Sequence, residues 1–359
     1  MMNLYSLPNE SHPDNETLDM LKNKAIWVAL PVVYSLVTLV SIPGNLISLW
    51  ILVFHSKPIT SSVILMINLS ITDLALAMLL PFQIHYHANK NDWIFGKDLC
   101  NVISIMFYVN MYGTILTIML ISLERYLGIV HPMKSSLWRK KRYAIGAILL
   151  IWLVLLAALY PMESTDLMYE VKELNIKTCF DILKWNMLPN LIAWAVFIIG
   201  LFLFFFLIPF IITVVCYARI IRKLIQTSNR NGTGYERRSI NLAIFVLIVF
   251  ITCFAPNNLI LLLHTIVRLF YGKSYYYAYK LTLTLSCLSS CVDPFLYYFA
   301  SKDFRRKALE LLNFRSRSIK QCVVRRDSVF SALTFSSGQC ETLQNGNNHR
   351  YDHNQMSDM

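Results

Sequence analysis

Apolar residues gather into seven long runs separated by short polar stretches, at residues 25–54, 63–88, 102–130, 143–160, 188–221, 240–270 and 276–300. A helix needs about 20 apolar residues to cross ~30 Å of hydrocarbon, so each run predicts a membrane-spanning helix. The expected fold is an all-α membrane protein, a seven-transmembrane helix bundle at residues 25–300. Residues 1–24 precede it. After Ala300, Phe304, Ala308, Leu311 and Leu312 share one side of a short segment whose other faces carry Arg305, Arg306 and Lys307. Residues 301–313 are therefore expected to form an amphipathic helix on the cytosolic membrane surface. Residues 314–359 are polar, rich in Ser, Asn and Gln, and expected to be a disordered cytosolic tail.

Composition agrees with that pattern. The chain is 56% hydrophobic and 15% charged with a mean hydropathy of +0.48, against about a quarter charged in soluble domains. The net charge of +12 would suit nucleic acid, but its placement argues against such a partner. Lys134, Arg139, Lys140, Lys141 and Arg142 crowd one connection, Arg219, Arg222, Lys223, Arg230, Arg237 and Arg238 flank another, and Lys302, Arg305, Arg306 and Lys307 follow the last span. All fall on one side of a seven-span topology, whereas the amino terminus carries Glu10, Asp14, Glu16 and Asp19. The positive-inside rule then predicts an extracellular amino terminus and a cytosolic carboxyl terminus, and the expected location is the plasma membrane. The first residues lack the layout of a signal peptide, so the first span is expected to direct insertion. Sequons at Asn9 and Asn15 lie on the side where glycans are added, and one at Asn231 does not.

Of eight cysteines, topology leaves Cys100 and Cys179 in oxidising positions, which predicts their disulfide. Cys216, Cys253, Cys287 and Cys291 lie within spans and read as small buried apolar residues. No CxxC pair or His cluster proposes a transition metal, and no nucleophile–base set proposes an enzyme.

Polar residues inside spans are costly unless partnered. Arg125, between Glu124 and Tyr126 at the end of the third run, predicts a switch, and Glu236 at the start of the sixth can reach Arg125 and hold it. Asn45, Asp73, Asn110, Thr114, Ser290 and Asp293 can meet at mid-membrane. Such an oxygen-rich set suits an allosteric sodium ion, proton sharing between the carboxyls, or a helix-packing network without further purpose. No other cofactor is called for. Pro209, Pro256 and Pro294 open hinges in the later spans.

Gly44-Asn45, Leu69 to Asp73, Glu124-Arg125-Tyr126, Trp152, Pro209 with Tyr217, Phe250 with Cys253-Phe254-Ala255-Pro256, and Asp293-Pro294 with Tyr297 form an ordered set, one motif per span. The set resembles the signature of rhodopsin-like G-protein-coupled receptors. Phe107-Tyr108, Asn110-Met111-Tyr112, Phe254 and the Asp-Pro pair resemble the purinergic P-two-Y branch. The resemblance implies a receptor whose Glu124, Arg125, Tyr126, Tyr217, Tyr297 and Glu236 work the switch. It implies a heterotrimeric G protein as partner, of the twelve/thirteen or Gq class, with arrestin and receptor kinases acting on the tail. There Ser328, Ser331 and Thr334 recur every third residue behind Arg325-Arg326. A scavenging receptor that does not signal and a transporter are the alternatives. An intact Glu-Arg-Tyr triplet argues against the first, and the lack of internal repeats against the second.

The departures concern the ligand. Where nucleotide-binding relatives place a histidine and two basic residues, this chain has Asn258, Leu261 and Leu283. A triphosphate needs several charge-assisted donors. The expected ligand is instead an extracellular amphipathic anion, or a nucleotide held by other bases. Its acidic head would meet Lys280, helped by Lys177 or Arg268, above Tyr108, Met111, Tyr112, Asn257 and Asn258.

Overall fold

The computed structural model describes residues 15–56, 58–131, 140–163, 167–179, 191–231, 234–271 and 275–300. The chain divides into two units, Met1–Ala308 and Leu309–Met359, and the second lies wholly outside the described residues. So do Asn9, the 301–313 segment, Ser328, Ser331 and Thr334, and the side chains of Asn15, Glu236 and Arg268.

Ten α-helices occur among the described residues. A short α1, Asn15–Lys22, precedes α2, Lys24–Trp50, whose start is capped by Asn23 Oδ1 accepting from Ala25 N–H at 2.9 Å. A π-helical turn, Ile51–His55, ends this first span. α3, Ser61–Ala88, is capped by the Thr60 hydroxyl. It unwinds through Lys90 (φ 57°) and Asn91 (φ 64°), and Gly96 (φ 84°) turns the chain into α4, Lys97–Val130. Glycine supplies that φ without steric cost. α5 is Lys141–Glu163. The fifth span comprises α6, Leu191–Leu201, a π-helical turn Phe202–Leu207, and α7, Ile208–Asn231. α8, Gly234–Tyr271, contains Pro256.

Six helices among the described residues are long and apolar enough to cross a membrane. The seventh span is split at Leu288 into α9, Tyr276–Cys287, and α10, Ser289–Ala300. Its serines explain the break. Ser286, Ser289 and Ser290 donate to carbonyls three residues back at 2.7–2.8 Å, and Leu288 and Cys291 N–H groups also bond three residues back. Hydroxyls that compete for carbonyls in this way tighten and bend a helix.

α4 lies at the centre, against α3, α5, α7, α8 and α9, and α2 closes the ring by packing on α3 and α10. Gly44 permits that last approach, since a Cβ there would stand 3.1 Å from the Pro294 ring. Outward faces carry exposed Leu39, Met78, Leu153 and Phe204, a surface that belongs in lipid. Between helices, Trp152 Nε1 donates to Asn68 Oδ1 at 3.0 Å and Asn68 Nδ2 to the Thr117 hydroxyl at 3.2 Å. Bonds of this kind contribute about 0.6 kcal/mol each in a bilayer.

One end is closed by a hairpin, β1 Met168–Val171 and β2 Ile176–Cys179, antiparallel with Met168 opposite Cys179. The Cys100–Cys179 disulfide ties it to α4 as the sequence predicts. Trp93 N–H donates to the Lys177 carbonyl at 2.6 Å and Lys177 N–H to Asp92 Oδ1 at 2.9 Å. At this same end α1 packs on α9 with Met20 and Leu21 buried. The Leu21 carbonyl accepts from Trp27 Nε1 at 3.0 Å and Asn91 Nδ2 at 3.1 Å, while Asn91 Oδ1 meets His87 Nδ1 at 2.7 Å.

Candidate functional site

Below the disulfide end, aromatic residues from three spans face one another. The Tyr108 and Tyr279 hydroxyls lie 2.6 Å apart, the Tyr108 and Tyr112 rings stack at 6.1 Å, and Tyr112 meets Phe205 at 5.7 Å. Phe205 reaches this place from the π-helical turn, a distortion frequent at functional sites. Lys280 follows Tyr279 and is 4% exposed, an unusual burial for a lysine. Leu261 and Leu283 are buried in the apolar cluster that also holds Tyr108, Tyr112 and Tyr279. On the facing side, Asn257 Nδ2 donates to Met111 Sδ at 3.0 Å, and the Thr282 hydroxyl to Asn257 Oδ1 at 3.4 Å.

Asn258 lies beside Asn257 and Met111, 1% exposed, with Nδ2 3.8 Å from Met111 Sδ. The Lys177 side chain is exposed on the hairpin. His264 is buried, and its Nδ1 accepts from Tyr275 N–H at 3.0 Å, a structural role at the start of α9. Tyr279 and Phe205 escape a residue-by-residue reading. For Tyr279 the signal was its place beside Lys280; Phe205 sits in a run of phenylalanines that reads as lipid-facing.

Deeper in the bundle the polar set gathers around two carboxyls. Asp73 and Asp293 lie within hydrogen-bonding reach of one another, and Asn110 Nδ2 donates to Asp73 Oδ1 at 3.1 Å. Asn45 Nδ2 donates to the Ser290 carbonyl at 2.9 Å. Asn45 Oδ1, Asp73 Oδ2, Thr114 Oγ1 and both Asp293 oxygens are buried without a donor among the described residues. Oxygens stranded away from water are costly, and this set is the ligand chemistry of a hard cation or of a shared proton. Tyr297 stands beside Ser70, Asp73 and Asp293, so it joins this group as well as the apolar cluster that holds Tyr217.

At the far end of α4 the triplet fans out. Both Glu124 oxygens accept hydroxyls, from Ser61 and Ser62 at the start of α3. Arg125 lies within electrostatic reach of Tyr217 on α7, and the Tyr126 hydroxyl meets His131 Nε2 at 3.2 Å. Between the two ends, Phe210 stacks on Phe250 at 5.8 Å, and Phe250 meets Phe254 at a tilt at 5.6 Å, just before Pro256.

Residues 44–297 match the family described as 7 transmembrane receptor (rhodopsin family). The chain is 61% identical to the P-two-Y purinoceptor 8 of Gallus gallus over 91% of its own length and 92% of the relative's. It is 56% identical to the S-geranylgeranyl-glutathione receptor of Homo sapiens, over 92% of both chains. Proteinase-activated receptor 1 of Xenopus laevis is 38% identical, over 84% of this chain and 71% of that protein. With a helix bundle, a family match through all seven spans and receptors as relatives, the chain belongs to the rhodopsin family of G-protein-coupled receptors, a multi-pass membrane protein of the P-two-Y purinoceptor branch.

Proposed function

We propose that this receptor binds an extracellular amphipathic anion, a prenylated thioether peptide of the kind for which its human relative is named, and passes the signal to a G protein of the twelve/thirteen or Gq class. The observation that supports this reading is Lys280, buried and next in sequence to Tyr279 of the Tyr108–Tyr279 pair, while Leu261 and Leu283, buried in the same cluster as that pair, offer no second charge. One cation with a broad aromatic and apolar surround suits one acidic head on an apolar body. In this orientation the disulfide end faces outward, Arg125 meets the G protein, and a tail phosphorylated at Ser328, Ser331 and Thr334 meets arrestin.

The test is G-protein dissociation in cells expressing the full chain. S-geranylgeranyl-glutathione should activate, while nucleoside di- and triphosphates should not at comparable concentration. Activation by a nucleotide alone would overturn the ligand class.

The carboxyl pair gives a second expected result. With sodium held by Asp73, Asp293, Asn45, Thr114 and Ser290 in the resting receptor, an agonist that selects the active state competes with the ion by population shift. Agonist affinity should fall at least about fivefold between sodium-free and high-sodium buffers, and Asp73→Asn should remove the dependence. Equal sodium sensitivity in both proteins would leave a packing network.

A further inference from the structure

Two neighbouring amides in the ligand site are poorly matched by what surrounds them. Asn257 and Asn258 follow Pro256 in α8 and are 0% and 1% exposed. Asn258 Nδ2 donates to the Phe254 carbonyl at 2.9 Å and approaches Met111 Sδ at 3.8 Å, and Asn257 Nδ2 donates to the same sulfur at 3.0 Å. A thioether is a weak acceptor, so the better-placed of these donors is committed to a partner that any carbonyl oxygen outcompetes. The acceptor side is emptier still. Asn258 Oδ1 has no donor among the described residues, and Asn257 Oδ1 has one long bond, from Thr282 at 3.4 Å. The Phe254 carbonyl fixes which way the Asn258 amide points, while the Thr282 hydroxyl lies nearer the Ala278 and Tyr279 carbonyls, at 3.0 Å each, than Asn257 Oδ1.

We propose that Asn257 and Asn258 form a subsite for a secondary amide of the ligand, and that Met111 occupies its donor half until the ligand arrives. Asn258 Oδ1 accepts the ligand's N–H, and Asn257 Nδ2 leaves the sulfur and donates to the ligand's carbonyl. A carboxylate or phosphate offers no N–H and would bring negative charge against the orphan oxygen. An ammonium would satisfy that oxygen but leave the Asn257 donor on sulfur. An amide answers both, and buried groups of this kind reject ligands that leave them unpaired. The inference rests on the peptide-thioether reading above, because the glutathione portion carries peptide amides and an isoprenyl cysteine carries none.

The test compares two probes on the purified full chain, S-geranylgeranyl-glutathione and S-geranylgeranyl-cysteine. Asn258→Leu should weaken the glutathione conjugate by about tenfold more than the cysteine conjugate. Met111→Leu conserves volume, a swap that cores tolerate, and removes the competing acceptor. It should tighten the glutathione conjugate severalfold relative to the cysteine conjugate. If Asn258→Leu fails to fold, as read by thermal unfolding, the Met111→Leu ratio decides. Equal changes for both probes would overturn the amide subsite while the ligand class stands. Failure of both probes to bind the unaltered receptor would overturn the ligand class, and the subsite with it.

Discussion

Arg125→Ala is expected to abolish ligand-stimulated nucleotide exchange while leaving the receptor at the cell surface. Arg125 lies near the end of α4, the central helix of the bundle, within reach of Tyr217 on α7. Ser61 and Ser62 hold both oxygens of Glu124, which gives that carboxylate partners other than the adjoining guanidinium. On the proposed mechanism α8 swings about Pro256 and Arg125 engages the G protein. In the complex that guanidinium would donate charge-assisted hydrogen bonds, and losing one costs about 1.5–3 kcal/mol, enough to remove the response. Arg125→Lys keeps the charge but loses the planar fork, and should recover only part. If Glu236 restrains Arg125 at rest, Glu236→Ala should raise basal exchange. Exchange measured in membranes, normalised to surface receptor, decides; an unchanged response in the alanine variant ends the proposed role.

Lys280→Ala should weaken an acidic agonist by roughly ten- to a hundredfold, since a hydrogen bond to a charged group contributes about 1.5–3 kcal/mol. Its burial makes the effect large, because a lysine 4% exposed is screened little by solvent. Lys280→Arg should keep part of the response, and an uncharged analogue of the agonist should be indifferent to either change. Concentration–response curves for acid and uncharged analogue, on both variants, separate loss of an anchor from loss of fold. An acid that activates the alanine variant as well as the parent would remove Lys280 from the site.

The hydrophobic runs made the spans legible because membrane crossing leaves so few ways to satisfy a backbone. The Cys100–Cys179 bond was legible for a similar reason, as topology allowed little else. What escaped depended on fine geometry within or between helices. The break at Leu288 comes from Ser286, Ser289 and Ser290 bonding back along their own helix, whereas in sequence they read as polar marks in an apolar run. The π-helical turn at Phe202–Leu207 leaves no trace in a string of phenylalanines. Ser61 and Ser62 look like a helix start, and nothing local joins them to a carboxylate 63 and 62 positions away. Asp73 and Asn110 could be grouped from sequence, with Asn45, Thr114, Ser290 and Asp293, because polar residues buried in spans demand partners. Tyr108 and Tyr279 could not, since buried tyrosines find partners in many ways.

The packing of α1 has a consequence for the order in which this protein is made. Leu21 precedes the first membrane span, yet its carbonyl is held by Asn91, 70 positions later, beyond the second span. Helix α1 can settle only after both spans and the turn following them have been synthesised and inserted. The sequon Asn15-Glu16-Thr17 lies in that helix, and its Thr17 is 3% exposed once the helix has docked. A glycosylating enzyme has to read the sequon while the segment is still open. In the orientation proposed above, any sugar on Asn15 would have to be added within a limited interval, set by how soon the second span follows the first.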